Sequence, residues 1–413
     1  MQKEHNLSKN QKIIFDLIDK SGGPMKAYSI LFNVQKKGIK APLQVYRALD
    51  KLVEIGKIHK IESRNAFIAC QNSSCQVSKA TAFSICESCE NVSEISNSKL
   101  SKYLSNFSDN SGMKYSNRNA ERDGSVSHGL FRLPAYVTGL KGGKINGKGK
   151  PEVKKISQSV IKVEGNNCLA PVVLNKGLPE LAKAAKENGV AVLAINNSHH
   201  MAAMWPETEK LAEDGLVAFA CTSYKPAVAP AGAIKPLFGT NPISFAWPRP
   251  GKTPVVYDMA TASMAMGEVQ VAKREGHKVP LGTGLTKDGK ETTDPGEIAD
   301  GGVLLPFGGY KGSAIAMMVE LMAGALVGDN FSFETAAKDN NDGGPPSGGE
   351  FILAINPDKT SGTNWQKHAD EFFEKMKSMG EVRLPGERRH KNRMDTGPRN
   401  INEELVNKIK SLS

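Results

Sequence analysis

Apolar residues recur at helical spacing in Ile13, Ile14, Leu17 and Ile18, and Ser8 stands where an N-cap would open that stripe. The pattern predicts a helix over Ser8–Lys20, broken by Gly22-Gly23-Pro24. A second helix is predicted over Met25–Lys37 and closed by Gly38. A third starts at Pro42, whose missing N–H costs nothing in a first turn. It turns Val45, Leu49 and Leu52 inward and Gln44, Arg47 and Lys51 outward, and Gly56 ends it. Lys57–Ile61 and Ala66–Ala69 then alternate like two short strands about a turn. Three helices and a two-stranded wing describe a winged helix, an α+β module whose third helix would enter the major groove of DNA. The same pattern suits a small helical bundle with no DNA role.

The text changes along the chain. Residues 96–126 are rich in Ser and Asn, with one short helical stripe at Leu100, Tyr103 and Leu104 before a loose junction. Beyond it, Leu178–Asn188 reads as a helix and Val190–Ile195 as a buried strand. Glu207–Asp214 is the next helix, Leu216–Ala220 the next strand, and Val255–Tyr257 a third strand ending at Asp258. Gly312–Val327 is a long apolar helix. Strands alternating with helices predict an α/β domain over residues 122–413, after a winged-helix module at 1–70.

Composition adds three points. The net charge of +11 is concentrated at the start: residues 1–120 hold 18 of the 54 Lys and Arg but only 10 of the 43 Asp and Glu, so +8 lies there. A basic module suits a nucleic-acid partner, though a lysine-rich solvated surface has the same charge. Four of the six cysteines, Cys70, Cys75, Cys86 and Cys89, fall in one twenty-residue window, which in a reducing compartment reads as metal ligation before disulfides. No apolar run approaches membrane-spanning length, and Met1–Asn10 lacks the apolar segment of a signal peptide; a cytoplasmic protein with no membrane partner is expected.

The densest chemistry lies in Ser127-His128-Gly129-Leu130-Phe131-Arg132-Leu133-Pro134. On a helix, His128 and Arg132 would share one face at i and i+4. A guanidinium there can clamp a carboxylate with two hydrogen bonds, and an imidazole beside it can move a proton near neutral pH. A Ser-capped amphipathic helix with one exposed Arg is the plainer alternative. No strand–glycine–helix dinucleotide fingerprint occurs. Pro306-Phe307-Gly308-Gly309-Tyr310-Lys311-Gly312 is the better anion loop, with glycines opening backbone N–H groups before a helix start. Lys311 could equally be a surface charge on a turn. His199 and His200 end a predicted strand, where a histidine often satisfies a backbone carbonyl, and Asp258 could cap the turn that follows it.

Two resemblances sharpen these readings. Val45–Leu52, followed by Gly56, His59–Ser63 and Cys70, resembles the zinc-responsive branch of the ferric-uptake-regulator family over about residues 5–121. It implies a zinc site drawing on His59, Cys70 and Glu94, with Cys86 and Cys89 as a Cys-x-x-C pair. Lys79 stands where a second histidine is expected and the second Cys-x-x-C is missing. Residues 71–121 therefore read as a truncated dimerisation segment, and tight zinc binding is not expected.

The second resemblance, from about residue 124 onward, is to the malate/L-lactate dehydrogenase family, whose nicotinamide-binding fold is not a Rossmann fold. It rests on Ser127-His128-Gly129 with Arg132, Asn197-Ser198-His199-His200, Phe238-Gly239-Thr240-Asn241-Pro242, Asp258-Met259-Ala260-Thr261, the 308–312 turn, Val319-Glu320 and Arg383–Arg389. His199–Pro206, Gly267-Glu268-Val269-Gln270 and Asn330–Glu334 are most similar to its Δ1-piperideine-2-carboxylate/Δ1-pyrroline-2-carboxylate reductases. The resemblance implies reduction of cyclic ketimines to L-pipecolate or L-proline by a homodimer using NADPH or NADH. It also implies roles: Ser127, His128 and Glu268 in catalysis, and Arg132 and Thr240 on the substrate. The cofactor would lie on His200, Met201, Ala202, Asp258, Met259, Ala260, Gly308, Gly309, Lys311, Gly312 and Arg388. A 2-hydroxyacid dehydrogenase of the malate, lactate or ureidoglycolate type is the alternative enzyme, and a zinc-responsive repressor the alternative of another class. The chain departs from the pattern twice. The regulator-like module stands where the family has some forty helical residues, and Glu268 stands where the reductases tend to carry Asp.

Overall fold

A computed structural model of the chain describes residues 7–39, 41–61, 66–70, 82–85, 92–95, 117–200, 202–362, 364–395 and 401–412. The chain divides into two compact units, residues 1–104 with 394–413, and residues 105–393.

In the first unit, α1 (Lys9–Ser21) opens with a capping box: Ser8 Oγ accepts the Gln11 N–H while the Gln11 side chain accepts the Ser8 N–H. It stops at Gly22, which adopts the left-handed conformation at φ 64°. The expected second helix divides. Met25–Lys26 forms β1, and only Ala27–Gln35 is helical (α2). Met25 and Lys26 pair with Phe67 and Ala66 instead, giving the Ala66–Ala69 strand a second neighbour. α3 (Pro42–Glu54) is followed by the hairpin of β2 (Ile58–Ile61) and β3 (Ala66–Ala69), in the sheet order β1-β3-β2. Val45, Leu49 and Leu52 are buried with Ile14, Ile18, Ile30 and Ile58, while Gln44, Arg47 and Lys51 are exposed. β4 (Ala82–Ile85) and β5 (Val92–Ile95) pair antiparallel.

The second unit is built on a seven-stranded sheet in the order β11-β10-β9-β15-β8-β7-β6. Its strands are β6 (Glu152–Lys155), β7 (Val160–Leu169), β8 (Val190–His199), β9 (Val217–Thr222), β10 (Ile243–Trp247), β11 (Val255–Met259) and β15 (Ser347–Ile355). Only β7 and β8 run parallel, and the Ala170–Asn188 helix makes the crossover that a parallel pair requires. That helix and Trp205–Glu213 bury one face of the sheet with Leu181, Leu193, Ile195 and Trp205. The Tyr310–Glu320 helix, continued by the π-turn Leu321–Leu326, covers the other through Val319, Ala323 and Val327. The result is α/β. Three short strands, β12 (Gly284–Leu285), β13 (Glu291–Thr292) and β14 (Val303–Leu304), form a separate small sheet.

Candidate active site

The segment Val126–Arg132 is not one helix. Two 3-10 turns, Val126–His128 and Leu130–Arg132, meet at Gly129, and the α-helix starts only at Leu133. The break has a local cause. A Cβ on Gly129 would lie 2.0 Å from Glu121 Oε2, and that oxygen accepts the Leu130 N–H at 2.9 Å. Glu121, on the short helix Asn117–Arg122, thus shapes the turn; burial holds its carboxyl above the usual range.

The chemistry still converges. Ser127 Oγ lies 3.1 Å from His128 Nδ1, and Arg132 Nε donates to the Ser127 carbonyl at 2.7 Å. That bond fixes the plane of the guanidinium. Gly267, opening the Met266–Glu275 helix, passes so close that its Cβ would stand 3.6 Å from Ser127 Cβ and 3.8 Å from Arg132 Nη2. His128 is pushed down to about 4, first by burial and then by the charges of Arg132 and His200. The imidazole is therefore uncharged at neutral pH and suited to passing a proton on. Burial pushes the Tyr224 phenol up to about 12, while the Arg132 charge pulls it the other way.

A second group of predicted residues is drawn together around the Gly239-Thr240-Asn241 turn. A Cβ at Gly239 would meet the Tyr224 carbonyl at 2.5 Å, so only glycine passes there. Buried Glu320 organises the turn: it accepts from Asn241 Nδ2 at 2.8 Å, from the Ser332 N–H at 2.9 Å and from the Ser332 hydroxyl. The Thr240 carbonyl accepts the Thr261 N–H at 2.9 Å, and the Thr261 carbonyl accepts the Phe307 N–H at 3.0 Å. This ladder carries Asp258–Thr261 and the 306–312 loop to the same rim. Gly308 and Gly309 sit at φ 57° and 63°, and a Cβ on Gly312 would lie 2.0 Å from the Phe307 carbonyl. This glycine-rich loop opens an eleven-residue helix with Lys311 exposed in its first turn, an arrangement that can receive an anion.

The two histidines separate. His199 is buried and its Nδ1 lies 2.9 Å from the Pro345 carbonyl, while its Nε2 has no hydrogen-bond partner among the described residues. His200 borders a small cavity with Ser223, Tyr224 and Gly348. Its Nδ1 accepts the Ala202 N–H at 3.3 Å, and its Nε2 faces Glu207 Oε1 at 3.3 Å and Glu350 Oε2 at 4.0 Å. Asp258 caps the Trp205–Glu213 helix by accepting the N–H groups of Met204 and Trp205 at 2.7 and 3.0 Å, rather than a turn after its own strand. Burial pushes Glu350 up to about 8; Glu207 and Asp258 add to the shift and His200 opposes it. Burial and the Asp258 charge also hold Glu207 well above the usual carboxylate range.

Glu207 and Glu350 were not singled out in the sequence. Glu207 reads as an acid in a helix first turn, and Glu350 stands just before the apolar run Phe351–Ile355. An acid at the head of a buried strand was the available signal.

The remaining predicted residues are spread over both units. Glu268 is exposed in the first turn of its helix, one residue from Gly267. Arg388 is exposed, whereas its neighbour Arg389 lies over Trp205 at 5.2 Å and donates to the Val256 carbonyl. Met259 is exposed, and Ala202 is buried beside His200. His59 lies on β2, Cys70 just beyond β3 and Glu94 on β5. Met201, Cys86 and Cys89 fall outside the described residues.

The sequence matches the malate/L-lactate dehydrogenase family over residues 90–410. The chain belongs to that family of oxidoreductases. Among its relatives is the Δ1-pyrroline-2-carboxylate/Δ1-piperideine-2-carboxylate reductase of Pseudomonas putida, 46% identical over 274 residues, which are 66% of this chain and 80% of the relative. The (2R)-3-sulfolactate dehydrogenase (NADP(+)) of Chromohalobacter salexigens is 37% identical over 71% of this chain and 88% of its own. The crystal structure of Δ1-piperideine-2-carboxylate reductase from Pseudomonas syringae pv. tomato superimposes with a TM-score of 0.68 at 43% identity, covering 71% of this chain and 90% of that one. Among the described residues no helix is long and apolar enough to cross a membrane.

Proposed function

We propose that residues from about 122 onward reduce cyclic ketimine carboxylates, Δ1-piperideine-2-carboxylate and Δ1-pyrroline-2-carboxylate, to L-pipecolate and L-proline. The observation that carries this reading is the fixed Arg132 guanidinium beside the Ser127–His128 pair, in a chain 46% identical to a reductase of that name. Arg132 holds the substrate carboxylate and Thr240 adds a hydrogen bond. When bound, NADPH or NADH supplies a hydride to the C=N carbon. His128, held neutral, relays the proton that the nitrogen must gain, and Ser127 keeps its ring in place. Glu268, exposed in the first turn of its helix next to Gly267, is the second candidate acid. His200, Met201, Ala202, Asp258–Ala260, the Gly308–Gly312 loop with Lys311, and Arg388 form the cofactor side.

The exposed apolar side chains Met317, Leu321, Leu326 and Phe333 support a homodimer, since so much apolar surface in one region favours association. The exposed Arg47 and Lys51 on α3 support a winged helix that touches DNA, with zinc a weaker expectation because Lys79 replaces a ligand. A cytoplasmic location agrees with this chemistry. The test is oxidation of NADPH and of NADH by purified full-length protein. The cyclic imino acids should be turned over in preference to pyruvate and oxaloacetate; preference for the keto acids would establish a 2-hydroxyacid dehydrogenase instead.

A further inference from the structure

We propose that Glu121 is a positioning residue: it holds the turn that aims Arg132 at the substrate carboxylate, so the catalytic unit begins ahead of residue 122, at the Asn117–Arg122 helix. The proposal rests on one part of the reading above, that Arg132 takes the substrate carboxylate. The short helix is pinned at its end. Ala120 is fully buried, and its carbonyl accepts the Ser125 N–H at 2.7 Å. Asp123, also fully buried, accepts from Arg393 Nη2 at 2.7 Å and from Arg122 Nε at 2.9 Å. The Asp123 carbonyl accepts from Asn392 Nδ2 at 3.0 Å. Glu121 lies between these anchors in sequence and reaches the Leu130 N–H with Oε2 at 2.9 Å.

The anchored N–H belongs to the 3-10 turn Leu130–Arg132, which carries the guanidinium. Gly129 also lies against the Glu121 backbone, since a Cβ there would stand 3.1 Å from Glu121 Cα. Arg132 is then held on two sides. Its Nε donates to the Ser127 carbonyl, and its guanidinium carbon lies 5.5 Å from the Phe131 ring centroid. With Nε spent, a carboxylate can take only the Nη1 and Nη2 edge, end-on. Hydrogen bonds weaken as they bend, so a tilt of that edge weakens both bonds at once. The Ser127–His128 pair lies on the other side of Gly129 and keeps its own contact at 3.1 Å. Loss of the Glu121 hold therefore falls on carboxylate capture before it falls on proton transfer. The hold needs an acceptor oxygen rather than a charge. Burial holds the Glu121 carboxyl above the usual range, and either protonation state leaves a lone pair for the Leu130 N–H.

The experiment compares wild type, Glu121→Met, Glu121→Gln and Gly129→Ala as full chains, each checked by thermal unfolding. Met keeps the length of the side chain and removes the acceptor; Gln keeps both. NADPH oxidation with Δ1-piperideine-2-carboxylate and with pyruvate gives kcat and KM, and NADPH fluorescence gives cofactor affinity. The expected result is that Glu121→Met raises KM about fivefold or more, with kcat and cofactor affinity within about twofold. Glu121→Gln should restore the wild-type KM. Gly129→Ala, whose Cβ would strike Glu121 Oε2, should raise KM in the same way, and serves alone where Glu121→Met does not fold. A folded Glu121→Met or Gly129→Ala with unchanged KM overturns the proposal. So does a Glu121→Gln as impaired as Glu121→Met. A loss spread equally over kcat, KM and cofactor affinity also overturns it, since a merely structural role would give that. A wild-type chain that reduces pyruvate but not the imine overturns the reductase reading alone. The Glu121 effect is then read from the KM of pyruvate, whose carboxylate meets the same guanidinium.

Discussion

The two units bury different things. In the first, the core is Ile14, Ile18, Ile30, Val34, Leu49, Leu52 and Ile58, all apolar. Among the described residues every buried polar or charged side chain lies in the second unit, including Asp123, Glu207, Glu209, Glu320 and Glu350. Most of these are answered. Glu209 meets His390 Nε2 at 2.5 Å and Arg393 at 2.7 Å, and Arg393 also binds Asp123 at 2.7 Å, so this network ties the Glu387–Met394 helix to the sheet layer. Glu320 is fully engaged in holding the Thr240 turn. Glu350, beside His200, has no hydrogen-bond partner on either oxygen among the described residues. A core of carbon needs no partners, whereas every buried charge carries a cost that a partner must offset.

The largest effect that would break this contrast is at His128. His128→Ala should lower kcat by roughly 10²–10⁴-fold in imine reduction, with cofactor affinity little changed. A loss confined to cofactor binding would move His128 out of the proton path. Arg132→Ala should cost about 1.5–3 kcal/mol in binding the carboxylate, read as a raised KM, and Arg132→Lys should not restore it because the two-point fork is lost. Steady-state kinetics with the wild-type pH optimum held fixed checks both.

The apolar unit offers the converse. Leu49→Ala should destabilise the first unit by about 2–5 kcal/mol, seen as an earlier unfolding transition, while reductase turnover stays within twofold or so. Turnover falling in step with that transition would show that the two units do not behave separately.

A smaller effect concerns pH. Glu350 titrates near 8 when folded against an ordinary 4.5, so the folded state binds more protons than the unfolded one between those values. Its contribution to stability is therefore full below 4.5 and lost as pH rises toward 8. Glu350→Gln should flatten that decline in thermal unfolding measured at pH 5 and pH 8. An unchanged slope would mean that Glu350 is ionised or screened in the folded chain.

The same contrast explains what could be read from the sequence. In the first unit the apolar period and the caps agree with the packing, and α1 and α3 lie where Ser8 and Pro42 place them. The exception is Met25–Lys26, which pairs with β3 because a neighbouring strand was available; no local pattern encodes that. In the second unit, Val190–Ile195 and Val255–Tyr257 are legible as apolar runs. β7 is not, because Lys162 and Glu164 interrupt it, and Glu164 is there to accept from Asn197 Nδ2 at 2.9 Å. β15 begins with Ser347-Gly348-Gly349-Glu350, which reads as a turn. The spacing of His128 and Arg132 pointed to a helix face, and the structure brings the residues together by two 3-10 turns, since Glu121 crosses at Gly129. Residue identity carried the site, while the route of the backbone depended on side chains from elsewhere.

The most direct test of the account is a paired assay of the full chain and Arg132→Ala, following NADPH oxidation with Δ1-piperideine-2-carboxylate, pyruvate and oxaloacetate. The account predicts that wild type oxidises NADPH with the cyclic imine well above either keto acid, and that Arg132→Ala abolishes this preference through KM. Equal activity of the two proteins, or a wild type that prefers the keto acids, would contradict it.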